Sequence, residues 1–247
     1  MNRIKDYDRL AFDIDRWLKD YYYMHSIKAF VVGVSGGIDS AVVSTLCAKT
    51  ELPTYVLTMP LHSKEGNTKL SDAHAKALMK KYSNVRVVNV DLSDTYESLL
   101  FNIDQDFVNN KLANANTKSR LRMVTLYQVA GSVGGIVVGT GNKVEDYGIG
   151  FYTKYGDGGV DIAPIADLYK TEVRELGGYL GVKNEIIDAT PTDGLWDDGR
   201  SDEDQIGATY AELEEAMENG TGPAVDILQK FNEKNKHKML PIPTFKL

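Results

Sequence analysis

The stretch Ala29-Phe30-Val31-Val32-Gly33-Val34-Ser35-Gly36-Gly37-Ile38-Asp39-Ser40 decides the fold. Ala29–Val34 is a short apolar run of strand length, Gly36-Gly37 is a turn signal, and a helical pattern follows from about Ile38 to Lys49. Upstream, Tyr7, Leu10, Ala11, Ile14, Trp17, Leu18 and Tyr21 recur at spacings of three and four, the mark of an amphipathic helix. Downstream the alternation repeats. Strands are expected at Tyr55–Met59, Val85–Val90 and Gly135–Gly139, and helices at Ser71–Tyr82, Thr95–Val108 and Ser119–Val133. Strands alternating with helices imply right-handed crossovers and a parallel sheet covered on both faces.

The polar segment 109–118 reads as a loop, and so does the text after Thr140. Helices are expected again at Lys170–Leu180, Glu203–Met217 and Pro223–Asn235. Between them lies an acidic stretch, 193–204, with Asp193, Asp197, Asp198, Asp202, Glu203 and Asp204. The helix at Ser119–Val133 is unusual. Leu121, Met123, Val124, Leu126, Tyr127, Val129, Ala130 and Val133 leave it little polar face. Such a helix either lies deep in the core or is covered by a second subunit.

Composition narrows the function. The 247 residues are 43% hydrophobic and 26% charged, a globular balance with enough chain for a sizeable core. A net charge of -7 argues against a protein that coats nucleic acid. A single cysteine, Cys47, excludes a disulfide framework and a Cys-rich zinc site. The N-terminus is charged where a signal peptide would be apolar, and no apolar run approaches the roughly 20 residues of a membrane span. The expectation is a soluble cytoplasmic protein.

The chemistry sits at Gly33–Ser40. A glycine-rich turn where a strand hands over to a helix exposes backbone N–H groups and the positive end of the helix, which suits a phosphate chain. It is not a Walker A loop, since no lysine holds the phosphate-facing position, nor is it Gly-x-Gly-x-x-Gly. Asp39 is the odd residue. A carboxylate beside phosphates repels them unless a cation intervenes, so Asp39 suggests Mg²⁺.

Ser35-Gly-Gly-Ile-Asp-Ser40 resembles the SGGxDS loop of the ATP-pyrophosphatase, or adenine nucleotide α-hydrolase-like, enzymes, which adenylate a substrate and release pyrophosphate. Further segments resemble one family of that group, the NAD synthetases: Val138-Gly-Thr-Gly-Asn-Lys-Val-Glu145, Gly150–Asp161, Pro164–Lys170, Pro191-Thr192 and His237-Lys238. The resemblance runs from the first helix to the tail. It implies an α/β fold with a Rossmann-like open parallel sheet and helices on both faces. It also implies one synthetase domain over 1–247, ATP-dependent amidation of deamido-NAD to NAD through an acyl adenylate, and a homodimer with the deamido-NAD site at its interface. The motifs leave no room for an amidohydrolase domain, and Cys47 lies mid-helix among apolar residues, a poor nucleophile. The expected nitrogen donor is therefore ammonia.

The resemblance also assigns residues. Gly33, Val34, Ser35, Gly36, Gly37, Ile38, Asp39 and Ser40 match the ATP loop, with Thr140, Lys170 and Thr192 as further ATP contacts. Asp39 and Glu145 match Mg²⁺ ligands, and Asp39 and Lys170 are the catalytic candidates. Arg120, Lys154, Asp161, His237 and Lys238 match deamido-NAD contacts. Phe151, Tyr152 and Tyr155 are candidates to stack on the nicotinate ring. The segments 109–118 and 193–204 suit lids that order over substrate. Two rivals are weaker. An adenylating enzyme of tRNA modification should carry extra cysteines or a basic RNA-binding domain, and a nucleotide-sensing module would not need both Asp39 and Glu145.

Overall fold

The computed structural model describes residues 3–62, 65–192 and 201–246. Four parallel strands, β1 (Phe30–Gly33), β2 (Thr54–Thr58), β3 (Val85–Asn89) and β4 (Ile136–Val137), stand in the order β3-β2-β1-β4. Phe30 lies opposite Thr54 on one side and Ile136 on the other. The helices are α1 (Tyr7–Met24), α2 (Ile38–Lys49), α3 (Glu65–Lys81), α4 (Ser93–Phe101) and α5 (Lys111–Val133), then α6 (Lys170–Leu180), α7 (Asn184–Ile187), α8 (Asp202–Ile206), α9 (Tyr210–Asn219) and α10 (Val225–Met239).

The two-residue period of β1 builds both faces of the sheet. Phe30 and Val32 point into a core shared with α1, α2 and α6, where Leu18, Leu46 and Leu176 are fully enclosed. Val31 points the other way, into a core with Leu57, Val137 and the inner side of α5. A third cluster joins α9 and α10 to the stretch after β4 through Ile149, Tyr169, Tyr210 and Leu213. Chain order reverses at β1, whose neighbours are β2 and β4. The crevice beyond the carboxyl ends of β1 and β4 is therefore the switch point where open α/β sheets bind ligands.

Several boundaries differ from the sequence reading. Segment 109–118 is helical from Lys111 onward. Asn110 caps it, its side chain accepting from Ala113 N, and its polar residues are an exposed helix face rather than a loop. The helix expected to reach Val108 ends at Phe101 and is followed by a 3₁₀ turn at Gln105–Phe107. The helix expected at Glu203–Met217 is two, because Gly207 takes φ +84° and Thr209 starts a new capping box with Glu212. His237 and Lys238 belong to the last turn of α10 rather than to a tail. Within this chain α5 is not deep core. Ala115, Ser119 and Ala130 are its buried residues, and Val124 is 57% exposed.

Candidate active site

The turn after β1 is cross-linked by its own hydroxyls. Ser35 N donates to Ser40 Oγ at 3.1 Å, Gly37 N donates to Ser35 Oγ at 3.3 Å, and Ser40 Oγ donates to Gly37 O at 3.0 Å. Gly36 takes φ +94°, which a side chain would strain. Gly37 is the N-cap of α2 and makes no side-chain cap, so the N-terminal amides of the helix face the crevice. Behind the loop, Ser44 Oγ donates to Ser40 O and lies 3.0 Å from His74 Nε2. Burial pushes His74 down to about 4, so it stands neutral behind the phosphate loop.

Beyond β4 the chain enters a π-helical stretch, Val144–Ile149. Such bulges favour functional sites because they re-aim side chains. Asn142, fully buried, accepts from Val144 N and Glu145 N and donates to Asp39 Oδ1 at 3.3 Å. One amide thus orients both candidate metal ligands.

Lys170 joins them. Its Nζ lies 2.5 Å from Asp39 Oδ2 and 3.0 Å from Glu145 Oε1, in a pocket that leaves the lysine side chain 4% exposed. Lys170 opens α6, whose first turn is gripped twice. Glu172 accepts from Tyr169 N and is held by the Arg3 guanidinium. Glu214 of α9 accepts from Thr171 N and Oγ1. Tyr210, also on α9, donates its hydroxyl to Glu145 Oε1 at 2.7 Å and lays its ring 4.8 Å from Lys170 Nζ.

The cluster is short of positive charge. Burial would lower the Lys170 ammonium, but Asp39 and Glu145 hold it well above its ordinary value. Burial raises Glu145 less than Lys170, Tyr210 and Asn142 lower it, so it stays ionised. Burial, with help from Glu145, leaves Asp39 above its usual range despite Lys170. Burial together with repulsion from Glu145, Asp157 and Asp39 pushes Asp146 up to about 7. A Cβ on Gly141 would meet the Asp146 carboxylate, so a side chain there would push this acid aside. Asp39 and Glu145 already converge on one cation, the Lys170 ammonium. Hard oxygen donors in that arrangement fit Mg²⁺. Among the described residues no group of three or more His, Cys, Asp or Glu side chains is placed to hold a metal ion, so the fit rests on Asp39 and Glu145 alone.

The dinucleotide candidates form a second group. Arg120 Nε and Nη2 donate to Lys154 O at 3.3 and 3.2 Å, Lys154 Nζ donates to His237 O, and Lys238 Nζ donates to Tyr152 O. Arg120, Lys154, His237 and Lys238, far apart in sequence, thus make one basic surface. Asp161 stands apart from it. Its oxygens accept from Tyr127 OH at 3.0 Å and Val137 N at 2.7 Å. Of the aromatic candidates, Phe151 packs toward the α9–α10 core, Tyr152 lies under Lys238, and Tyr155 is 51% exposed. Thr140 lies three residues beyond β4, and Thr192 lies between α7 and α8. The candidate lid residues 193–200, including Asp193, Asp197 and Asp198, lie outside the described residues.

Sequence reasoning missed Asn142 and Tyr210. Asn142 stood inside the quoted Gly-Thr-Gly-Asn string and only needed the question of what orients Glu145. Tyr210 gave no signal beyond a Thr-x-x-Glu capping box.

A glycine-rich turn whose helix amides face the crevice, a paired-acid centre and a lysine between the acids, at the switch point of a parallel sheet, are the features of a nucleotide-dependent enzyme of the adenylating class. The chain belongs to the NAD synthase family, whose model matches residues 10–242. An NH₃-dependent NAD⁺ synthetase of Finegoldia magna is 37% identical over 94% of both chains. An NMN synthetase structure from Francisella tularensis superposes with a TM-score of 0.89 at 32% identity, covering 99% of this chain and 100% of that one. An NH₃-dependent NAD synthetase of Campylobacter jejuni, at 23% identity and a TM-score of 0.78, covers 98% of this chain and 100% of its own, and supports the fold.

Proposed function

We propose that this chain amidates deamido-NAD to NAD with ammonia, as a carbon–nitrogen ligase that uses ATP. The observation that carries this reading is the convergence of Asp39, Glu145 and Lys170 on one point beside the Ser35–Ser40 turn. A carboxylate is anionic and lacks a leaving group. Its oxygen attacks the α-phosphorus of ATP, pyrophosphate leaves, and an acyl adenylate forms. The ammonia nitrogen then attacks the carbonyl, AMP leaves, and the nitrogen gives up a proton.

Gly33–Ser40 holds the pyrophosphate through its amides, and Lys170, Thr140 and Thr192 contact phosphate oxygens. Asp39 and Glu145 hold Mg²⁺, which when bound neutralises charge on the phosphates. Arg120, Lys154, His237 and Lys238 bind the dinucleotide, and Asp161 offers oxygens to its ribose. The enzyme acts as a cytoplasmic homodimer, with one synthetase domain in each chain. The dimer covers the exposed side of α5, where Leu112 and Val124 stand in solvent. No helix among the described residues is long and apolar enough to cross a membrane.

The high TM-score with an NMN synthetase favours a second reading, in which the acceptor is nicotinate mononucleotide. Purified protein given Mg-ATP and ammonium, with each nicotinate nucleotide in turn, separates the two. The first reading expects a higher kcat/KM for deamido-NAD, a rate rising with pH as ammonium gives way to ammonia, and little product from ammonia-free glutamine. A higher kcat/KM for the mononucleotide would favour the second.

A further inference from the structure

Tyr210 is 1% exposed and is the first residue of α9. It touches two of the three charged residues of the adenylation centre, yet lies about 65 residues beyond Glu145 and 40 beyond Lys170 along the chain. We propose that Tyr210 is a positioning residue for the cation of this site: its hydroxyl fixes Glu145 Oε1 while its ring carries Lys170.

The geometry gives each part a task. Glu145 Oε1 accepts from both Tyr210 OH and Lys170 Nζ. When Lys170 turns toward a phosphate, it releases Glu145, and the phenol remains to hold the carboxylate in its rotamer. A carboxylate held this way presents its other oxygen without spending side-chain freedom on binding. The Tyr210 ring keeps the lysine on a surface that favours a cation in either position. The backbone is anchored as well. Tyr210 N donates to Glu203 Oε1, and Glu214, one turn further along α9, holds Thr171 beside Lys170. The segment 201–214 thereby clamps the acid and the lysine from one side.

This inference rests on the reading of Glu145 as a metal ligand, and the test separates the two. Mn²⁺ binding is followed by electron paramagnetic resonance with a non-hydrolysable ATP analogue present. Tyr210→Phe keeps the ring and removes one hydrogen bond to a charged group. It should weaken Mn²⁺ binding roughly tenfold and raise the Mg²⁺ needed for half-maximal rate by a similar factor. KM for deamido-NAD should hold. Leu213→Ala, which removes buried apolar contact from the same helix, should lower Tm while Mn²⁺ binding stays at the wild-type value. Glu145→Gln should weaken Mn²⁺ binding at least as much as Tyr210→Phe. Unchanged binding in Tyr210→Phe beside weakened binding in Glu145→Gln overturns the role of Tyr210 alone. Unchanged binding in Glu145→Gln overturns the metal-ligand reading. An equal loss in Leu213→Ala and Tyr210→Phe shows that the tyrosine only supports its helix and also overturns the proposal.

Discussion

The adenylation centre and the outer face of α5 solve opposite problems. At the centre, the charges of Asp39, Glu145 and Lys170 find partners within one chain, so the site is assembled before any substrate arrives. Along α5, Leu121, Leu126, Tyr127, Val129 and Val133 pack toward the strand core, while Leu112 and Val124 remain in solvent. The proposed ATP half is complete in a single fold. The other half begins at Arg120 on that incompletely covered helix, which is where a second subunit would complete it.

The largest effect is expected from breaking the self-contained half. Asp39→Asn removes one proposed Mg²⁺ ligand and one partner of Lys170, and pyrophosphate release should fall about 10²-fold or more. Glu145 still pairs with the lysine, so circular dichroism should show an unchanged fold. Turnover at the wild-type rate in limiting Mg²⁺ would place the metal elsewhere.

The α5 half is broken at Val124. Val129 would be a poor choice, because it packs partly against the chain's own core, whereas Val124 is 57% exposed. Val124→Asp costs a single chain little, within about 0.5 kcal/mol, but an unpaired carboxylate buried between subunits costs several kcal/mol. Sedimentation should find a dimeric wild type and a monomeric variant with weak dinucleotide binding. A dimeric Val124→Asp, or a monomeric wild type, would remove α5 from the interface.

A smaller effect sharpens the picture of the ATP half. His74 stands at about 4 in the folded state against about 6.5 unfolded. The unfolded chain therefore binds the proton first as pH falls, and the penalty grows between those two values. Stability should drop by up to about 3 kcal/mol from pH 6.5 to 4, and by less in His74→Gln. Urea melts of both proteins at pH 7 and pH 5 check the difference. If the two lose stability in parallel, His74 does not hold its neutral form behind the loop.

The smallest effect lies outside both regions. The Arg9–Asp13 pair on α1 is 67% and 49% exposed, and Asp13→Asn should move the unfolding free energy by no more than about 0.5 kcal/mol. A larger loss in chemical denaturation would mean that exposed charge matters here as buried charge does at Lys170.

Much of the fold was legible because its signals are local. Phe30–Gly33, the Gly36-Gly37 turn and α2 follow one another within about twenty residues, and the expected α6 matches Lys170–Leu180 in full. Segment 109–118 was misread because polar residues serve both loops and exposed helix faces, and only the Asn110 cap distinguishes them here. The helix after 202 was misjoined because the Gly207 break depends on a left-handed backbone that composition does not display. In the site, Asp39 was legible as a carboxylate out of place among phosphates. Glu145 and Lys170 came from resemblance, and their meeting with Tyr210 depends on how β4, α6 and α9 pack, which no short window contains.

If the nicotinate carboxylate itself attacks the α-phosphorus at the Asp39–Lys170–Glu145 centre, its oxygen ends up in AMP. Deamido-NAD labelled with oxygen-18 in that carboxylate, turned over with Mg-ATP and ammonium, tests this directly by mass spectrometry of the AMP. One labelled oxygen is expected in each AMP formed, with one NAD for each pyrophosphate. Unlabelled AMP accompanying NAD would contradict it.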